Sequence, residues 1–400
     1  MSAPVPIYLL RRGPLSPDTG GPNRVVYDLM KRCTENGDPC RVVTVNGSST
    51  ELKPPKRAPQ IEANSLKQRL ARGLNRFSYG LYLQLLRDRK RLLEHIAPQT
   101  TRGSVIHAHE QIAAGLVFPQ LKLPKILTVH TKGSILKDVL YKVHPHIAGT
   151  WLEQHYKKIE RAALRSANAV TFPSEGARKV FAEDYPDLLQ RVKILRVVYN
   201  GIDVSGFAVK KHTEQEVLSI LVVCALVEEK RFDRVIEIAA QLKAAGVRFI
   251  IRHAGDGPLR EEYLQQIRER ELGDHFELFG SLPNERIRSL LDESDLYLLP
   301  SERVIFDIAT LEAMASGLPA IVSDVGGNRE MLVDGESGYL IPPDEIPSFV
   351  DAITSLAGNA GLRSDIGKNA RQRVEQRFSI QQMYDEYQSL YEEVYQRTRK

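Results

Sequence analysis

The chain has 400 residues, more than one domain usually holds, with 42% hydrophobic and 26% charged residues, a globular balance able to bury full cores. Its three cysteines, Cys33, Cys40 and Cys224, show neither metal-ligand spacing nor an even-numbered disulfide set, which argues against a zinc module and for a reduced, cytosolic setting. The net charge of +5 conceals an asymmetry: residues 1–200 hold 32 Lys+Arg against 16 Asp+Glu and residues 201–400 hold 23 against 34, so two domains with different tasks are expected.

No signal peptide is expected, because Arg11 and Arg12 follow the apolar run Val5–Leu10 instead of preceding it. The longest apolar stretch, Val217–Val227, is too short to cross a bilayer. Strands are expected at Val5–Leu10, Arg41–Val45, Ser104–Ala108, Lys125–His130, Ala169–Phe172 and Val192–Val198. The second half repeats the pattern at Leu218–Cys224, Arg248–Ala254, His275–Phe279, Leu296–Leu299 and Ala320–Ser323. Helical stretches such as Asp233–Ala245 and Ile346–Leu356 alternate with these runs, which predicts an α/β fold of parallel sheets crossed by helices. Ser48–Asn64 reads as a mobile loop. Leu66–Ile96 reads as a basic helix or helix pair carrying Phe77, Tyr79 and Tyr82, either a membrane-surface face or an ordinary amphipathic helix. Asn200–Phe207 is the linker candidate. Ser379–Arg399 is one helix with a tyrosine stripe that leans across a domain junction.

In open α/β sheets the loops beyond the carboxyl ends of strands carry the chemistry. The first is Asp18-Thr19-Gly20-Gly21-Pro22-Asn23, where paired glycines before a helix starting near Pro22 would admit a phosphate. The next presents His130-Thr131-Lys132-Gly133. His107 and His109 share one face of the preceding strand, and His107 reads more readily as a core histidine. Lys230 and Arg231 follow a strand and would either meet a diphosphate or form a solvated charged turn. Gly255-Asp256-Gly257-Pro258 is a glycine loop without the GxGxxG spacing of a hydride-transfer enzyme. Glu312, among alanines early in a helix that follows Pro300–Asp307, is expected to have a ligand or partner, since unpaired burial is costly.

The run Glu312-Ala313-Met314-Ala315-Ser316-Gly317-Leu318-Pro319, continuing to Ser323-Asp324-Val325-Gly326-Gly327, resembles the family 4 glycosyltransferases of GT-B fold. Asn200-Gly201-Ile202-Asp203, Gly255-Asp256-Gly257-Pro258, Phe279-Gly280, Asp295 and Pro300-Ser301 follow in family order, so the resemblance spans nearly the whole chain. It implies two Rossmann-like domains whose parallel sheets face a central cleft. The expected bounds are 1–203 for an acceptor-side domain, 204–378 for a nucleotide-sugar domain, and 379–400 for a helix crossing back to the first. It implies a retaining, metal-independent transferase that moves a sugar from a UDP- or GDP-linked donor to a glycan or lipid-linked acceptor in cell-surface polysaccharide or glycolipid assembly. No metal or other cofactor is expected, and no Asp-x-Asp triplet occurs.

By the same resemblance, His130 meets the transferred sugar, Lys230 neutralises the diphosphate and Glu312 binds the ribose hydroxyls. Gly20 and Gly21 approach the donor phosphates, while Phe306, Asp307, Ile308 and Ala309 form the turn that holds phosphate or sugar. Arg231, Gly255 and Gly257 complete the expected donor set. Three positions depart from the family pattern: Ala225 replaces an arginine, Val304 the first of two glutamates, and Asp307 a glycine. Arg231, Arg303 or Arg329 would supply the missing positive charge, and Asp307, ahead of Glu302, the missing carboxylate. Domain closure over the donor, with hinges near Asn200–Phe207 and Arg377–Ser379, is the corresponding expectation. The basic half is expected to attract anionic partners, including the inner face of a membrane, or to be merely solvated. No nucleic-acid partner is expected, since the basic residues are scattered. A catalytically lapsed donor-binding subunit of a glycosyltransferase complex is the alternative, and a two-domain nucleotide-sugar epimerase a third reading.

Overall fold

The computed structural model describes residues 5–13, 15, 20–50, 78–96, 98, 100, 101 and 103–399. Asp18, Thr19, most of the expected loop Ser48–Asn64, and the stretch containing Arg69, Arg72, Arg76 and Phe77 lie outside the described residues. The chain forms two compact units, Met1–Tyr199 with Met383–Lys400, and Asn200–Gln382.

Unit one contains β1 (Ile7–Leu10), α1 (Gly20–Glu35), β2 (Cys40–Thr44), β3 (Gly47–Ser49), α2 (Ser78–Ile96), β4 (Val105–Ala108), α3 (Gln111–Val117), β5 (Lys125–Thr128), α4 (Trp151–Ser166), β6 (Ala169–Phe172), α5 (Glu175–Asp184), α6 (Pro186–Leu189) and β7 (Ile194–Val197). Its sheet runs β3-β2-β1-β4-β5-β6-β7, parallel apart from the β2–β3 pair. Strand order reverses between β1 and β4, which places the unit's switch point at the loops after Leu10 and Ala108. Nearly every residue of β1, β4, β5 and β6 is buried, as expected of strands covered by helices on both faces.

One expectation changes here. Helix α1 begins at Gly20, so the paired glycines are its first two residues and not a loop ahead of it. Pro22 fits within that first turn because its missing N–H would have had no helical partner.

Unit two contains β8 (Leu218–Val223), α7 (Phe232–Ala244), β9 (Phe249–Ala254), α8 (Arg260–Glu269), β10 (Phe276–Leu278), α9 (Asn284–Glu293), β11 (Leu296–Leu299), α10 (Ile308–Ala315), β12 (Ala320–Ser323), α11 (Asn328–Met331), β13 (Tyr339–Ile341), α12 (Ile346–Ala357) and α13 (Ala360–Arg377). Its sheet is parallel throughout, in the order β10-β9-β8-β11-β12-β13, with the switch point between β8 and β11. Helix α10 shows why the local sequence folds as it does. Ala309, Leu311, Ala313 and Met314 are strong helix formers, Asp307 caps the start, and Gly317 ends the helix at φ 73°.

The C-terminal helix α14 (Ile380–Arg399) buries Met383, Tyr384, Tyr387, Leu390, Tyr391 and Val394, a stripe at helical spacing. From Met383 onward it belongs to unit one, where Tyr384 and Gln388 bond Asp38 and Arg196 pairs with Glu393 at 2.7 Å. Within unit two, the linker and the end of α13 are joined: Ile202 and Ser379 form a parallel bridge, and a Cβ on Gly201 would stand 2.3 Å from the Ser379 carbonyl oxygen.

Candidate active site

The loops at the unit-two switch point converge on one ion pair. Lys230 ends the turn after β8, Asp307 precedes α10 after β11, and Lys230 Nζ lies 3.2 Å from Asp307 Oδ1. The other oxygen, Oδ2, accepts the Thr310 amide and hydroxyl at 2.9 Å each and the Tyr297 hydroxyl at 3.3 Å. Burial by itself would raise the Asp307 carboxyl, but Lys230 and the Thr310 donors outweigh it and hold the group below its ordinary value. Lys230 responds in kind: burial would lower it, yet Asp307 raises it, so both stay charged at neutral pH. The pair sits at the amino end of α10, where backbone donors and the helix dipole favour an anion.

Glycines determine how closely the surrounding loops approach. A Cβ on Gly255 would fall 1.9 Å from the Cys224 carbonyl oxygen, and one on Gly257 2.3 Å from that of Leu226. Those two glycines are therefore required by packing against the turn after β8, whatever a ligand asks of them. Gly326, at φ 51°, would clash at 1.8 Å with the Val304 carbonyl, and Gly327 at 2.2 Å with that of Ile305. The Gly-Gly turn after β12 thereby supports the loop that carries Asp307. Phe306 packs its ring edge-on against Phe378 at 5.6 Å, leaving the backbone of Phe306, Ile308 and Ala309 as what this turn can offer a ligand. Glu312 is buried on the second turn of α10.

Three further arginines are committed elsewhere, and Arg303 is exposed. Arg231 adopts a left-handed conformation, φ 50°, uncommon for a side-chain-bearing residue, and its guanidinium bonds Asp233 at 2.8 Å and Glu302 at 3.1 Å. Arg234, only 4% exposed, bonds Glu302 at 2.7 Å and Asp344 at 2.5 Å. Arg329 is bonded to Asp324 at 2.6 Å. Of the groups expected to replace the missing charges, Asp307 is therefore the one set against Lys230, but as its counter-ion and as a helix cap. Sequence reasoning did not find Tyr297, Thr310 or Arg234. Thr310, three residues after Asp307, has the spacing of a side-chain cap and was legible in principle.

In unit one His130 follows β5, and its Nε2 lies 3.1 Å from Nδ1 of His109, which follows the neighbouring β4. Burial, then the Arg11 charge, push His130 down to about 4, so its ring is neutral. His107 is a core residue, as the sequence suggested: it is fully buried and bonds the Tyr391 hydroxyl at 2.9 Å and the Thr128 hydroxyl at 2.6 Å. At the switch point Arg12 and Glu110 form an ion pair, and the Arg12 amide donates to the same carboxylate at 3.1 Å. Among the described residues no group of three or more His, Cys, Asp or Glu side chains is arranged to hold a metal ion.

Residues 19–205 match the family described as Glycosyltransferase Family 4, and residues 207–373 match that described as Glycosyl transferases group 1. The chain belongs to the family 4 glycosyltransferases. An alpha-D-kanosaminyltransferase of Streptomyces kanamyceticus is 28% identical over 79% of this chain and 82% of its own length. Sucrose-phosphate synthase from Thermosynechococcus elongatus superimposes with a TM-score of 0.70 at 20% identity, covering 98% of this chain and 99% of that one. The Anabaena protein HepE, solved in complex with UDP, gives 0.66 at 17% identity over 97% and 100% of the two chains. The family 4 transferase therefore has the GT-B fold, and its two parallel-sheet units account for both halves of the match.

Proposed function

We propose that this glycosyltransferase moves a sugar from a UDP- or GDP-linked donor to a glycan or lipid-linked acceptor in cell-surface polysaccharide or glycolipid assembly, with retention and without a bound metal. The observation that carries the donor reading is Lys230 and the amino end of α10 brought together at the unit-two switch point. HepE, which shares the fold, is known in complex with UDP, and the Streptomyces relative is named as a sugar transferase.

In this reading the departing diphosphate gains negative charge as the anomeric bond stretches. Lys230 and the first amides of α10 stabilise that charge, and Glu312 holds the ribose. The Asp307 carboxylate shares Lys230 and keeps it oriented before the donor arrives. With no enzyme nucleophile assigned, the acceptor attacks from the face the diphosphate leaves, and a phosphate oxygen takes its proton. The test is a panel of nucleotide sugars scored for thermal stabilisation and for nucleoside diphosphate release. One donor that both stabilises and is slowly hydrolysed is expected. Stabilisation by nucleoside diphosphate alone, with every donor intact even when acceptors are supplied, would count for a lapsed subunit. No response to any nucleotide would overturn the reading.

The protein is proposed to work in the cytoplasm and to touch the inner face of an anionic membrane through α2. Tyr79, Leu83 and Leu86 are exposed on that helix beside Arg87, Arg89, Lys90 and Arg91. Among the described residues no helix is long and apolar enough to cross a membrane. Sedimentation with phosphatidylserine vesicles is expected to show salt-sensitive binding, weakened roughly fivefold by each of Arg87→Ala and Arg91→Ala. Equal partitioning onto neutral vesicles would refute the surface.

A further inference from the structure

His109 and His130 stand at the carboxyl ends of neighbouring strands and share a single hydrogen bond, 3.1 Å from Nδ1 of His109 to Nε2 of His130. Their rings are near-parallel, 17° apart in plane with centroids 5.4 Å apart. His109 is buried, and its other nitrogen, Nε2, is enclosed without a hydrogen-bond partner among the described residues. The His130 ring is partly exposed and makes no other hydrogen bond among the described residues. The groups facing the pair are His107, whose centroid is 4.0 Å from that of His109, Tyr387 at 6.3 Å, and the Arg11 guanidinium.

Two neutral imidazoles joined this way have two possible proton arrangements. In one, His130 Nε2–H donates to His109 Nδ1, so the His109 proton must sit on Nε2 as a buried N–H with no acceptor. In the other, His109 Nδ1–H donates to His130 Nε2, and the enclosed His109 Nε2 is a bare nitrogen. Orphaned buried N–H groups are the rarer and costlier outcome. We propose that His109 is a positioning residue that holds His130 as its Nδ1–H tautomer, so that His130 offers substrate a hydrogen-bond donor and no acceptor. His130 then recognises the oxygen lone pair of a hydroxyl or carbonyl and cannot remove a proton from it. Burial and the Arg11 charge keep both rings neutral at working pH, His130 falling to about 4 and His109 lying well below its ordinary value. This rests on the reading that His130 contacts a substrate oxygen, but the proton positions stand apart from it.

The experiment is a long-range proton–nitrogen correlation spectrum of the full chain labelled with 15N-histidine at neutral pH, with both residues identified from His109→Asn and His130→Gln. The expected spectrum shows a protonated Nδ1 and a bare Nε2 for both His109 and His130. A protonated Nε2 on His130 in the wild-type protein would overturn the proposal. In turnover, His109→Leu is expected to lower kcat about tenfold with little change in donor KM, the loss of one hydrogen bond's ordering. His109→Asn, whose amide N–H can stand where Nδ1–H stood, is expected to recover most of that loss. Equal loss in both variants at unchanged thermal stability would also overturn it. Full activity of His130→Ala would instead remove the substrate reading and leave the tautomer assignment intact.

Discussion

Replacing Lys230 by alanine is expected to lower turnover by about 10²–10³-fold, the usual cost of removing one preorganised charge from a developing anion. The stability effect separates this from generic damage. In the donor-free protein the substitution leaves the Asp307 side chain, 13% exposed at the start of α10 beside Thr310 and Tyr297, without its counter-ion. That should cost roughly 3 kcal/mol at neutral pH in urea unfolding, the low end for a broken buried pair. The pH dependence follows from the direction of the shift. In the wild type the Asp307 carboxyl is held below its ordinary value, so its contribution is present above the ordinary carboxylate range and is lost as pH falls through the lowered one. Without Lys230 burial dominates and the group is raised, so the variant's deficit should shrink on acidification. Adding Asp307→Asn to Lys230→Ala should restore most of the stability and none of the turnover. A single variant of wild-type stability and full turnover would refute both the pair and its role.

Glu312→Gln should behave differently. The side chain is buried on the second turn of α10, and the proposed ribose contact is made equally in ground and transition states. The expected result is weaker binding of donor and free nucleoside diphosphate alike, by about 10–100-fold for charged hydrogen bonds, with kcat at saturation nearly unchanged. Calorimetry with nucleoside diphosphate measures this without an acceptor. Unchanged nucleotide affinity would remove Glu312 from the site. The contrast between Lys230 and Glu312 is itself a test, since one acts on charge that develops and the other on groups that do not change.

Much of the architecture was readable because parallel strands covered on both faces are written as short β-branched runs. Eleven of the thirteen strands among the described residues were expected within a residue or two of where they lie; β3 and β13, three residues each, escaped, while the equally short β10 was marked by the run His275–Phe279. Both switch points follow from strand order, and strand order depends on which non-consecutive strands pair, so the sequence alone could not locate them.

Asp307 shows the limit most clearly. Its position before a helix of Ala, Leu and Met, three residues ahead of Thr310, is a cap pattern that was legible but went unread. That its other oxygen meets Lys230, 77 positions earlier, depends on β8 and β11 lying side by side. The same holds for His109 and His130, which are 21 positions apart and meet because β4 pairs with β5.

By itself the sequence determined the class of fold, most of the strands, several of the helices, and the residues that carry charge, because these depend on periodicity and side-chain chemistry within a few positions. Only the tertiary structure decided which distant charges face each other: Lys230 with Asp307, Arg231 with Glu302, Arg234 with Glu302 and Asp344. Electrostatic partners are selected by distance and burial in three dimensions, and the strand pairing that sets those distances is not a local property of the chain.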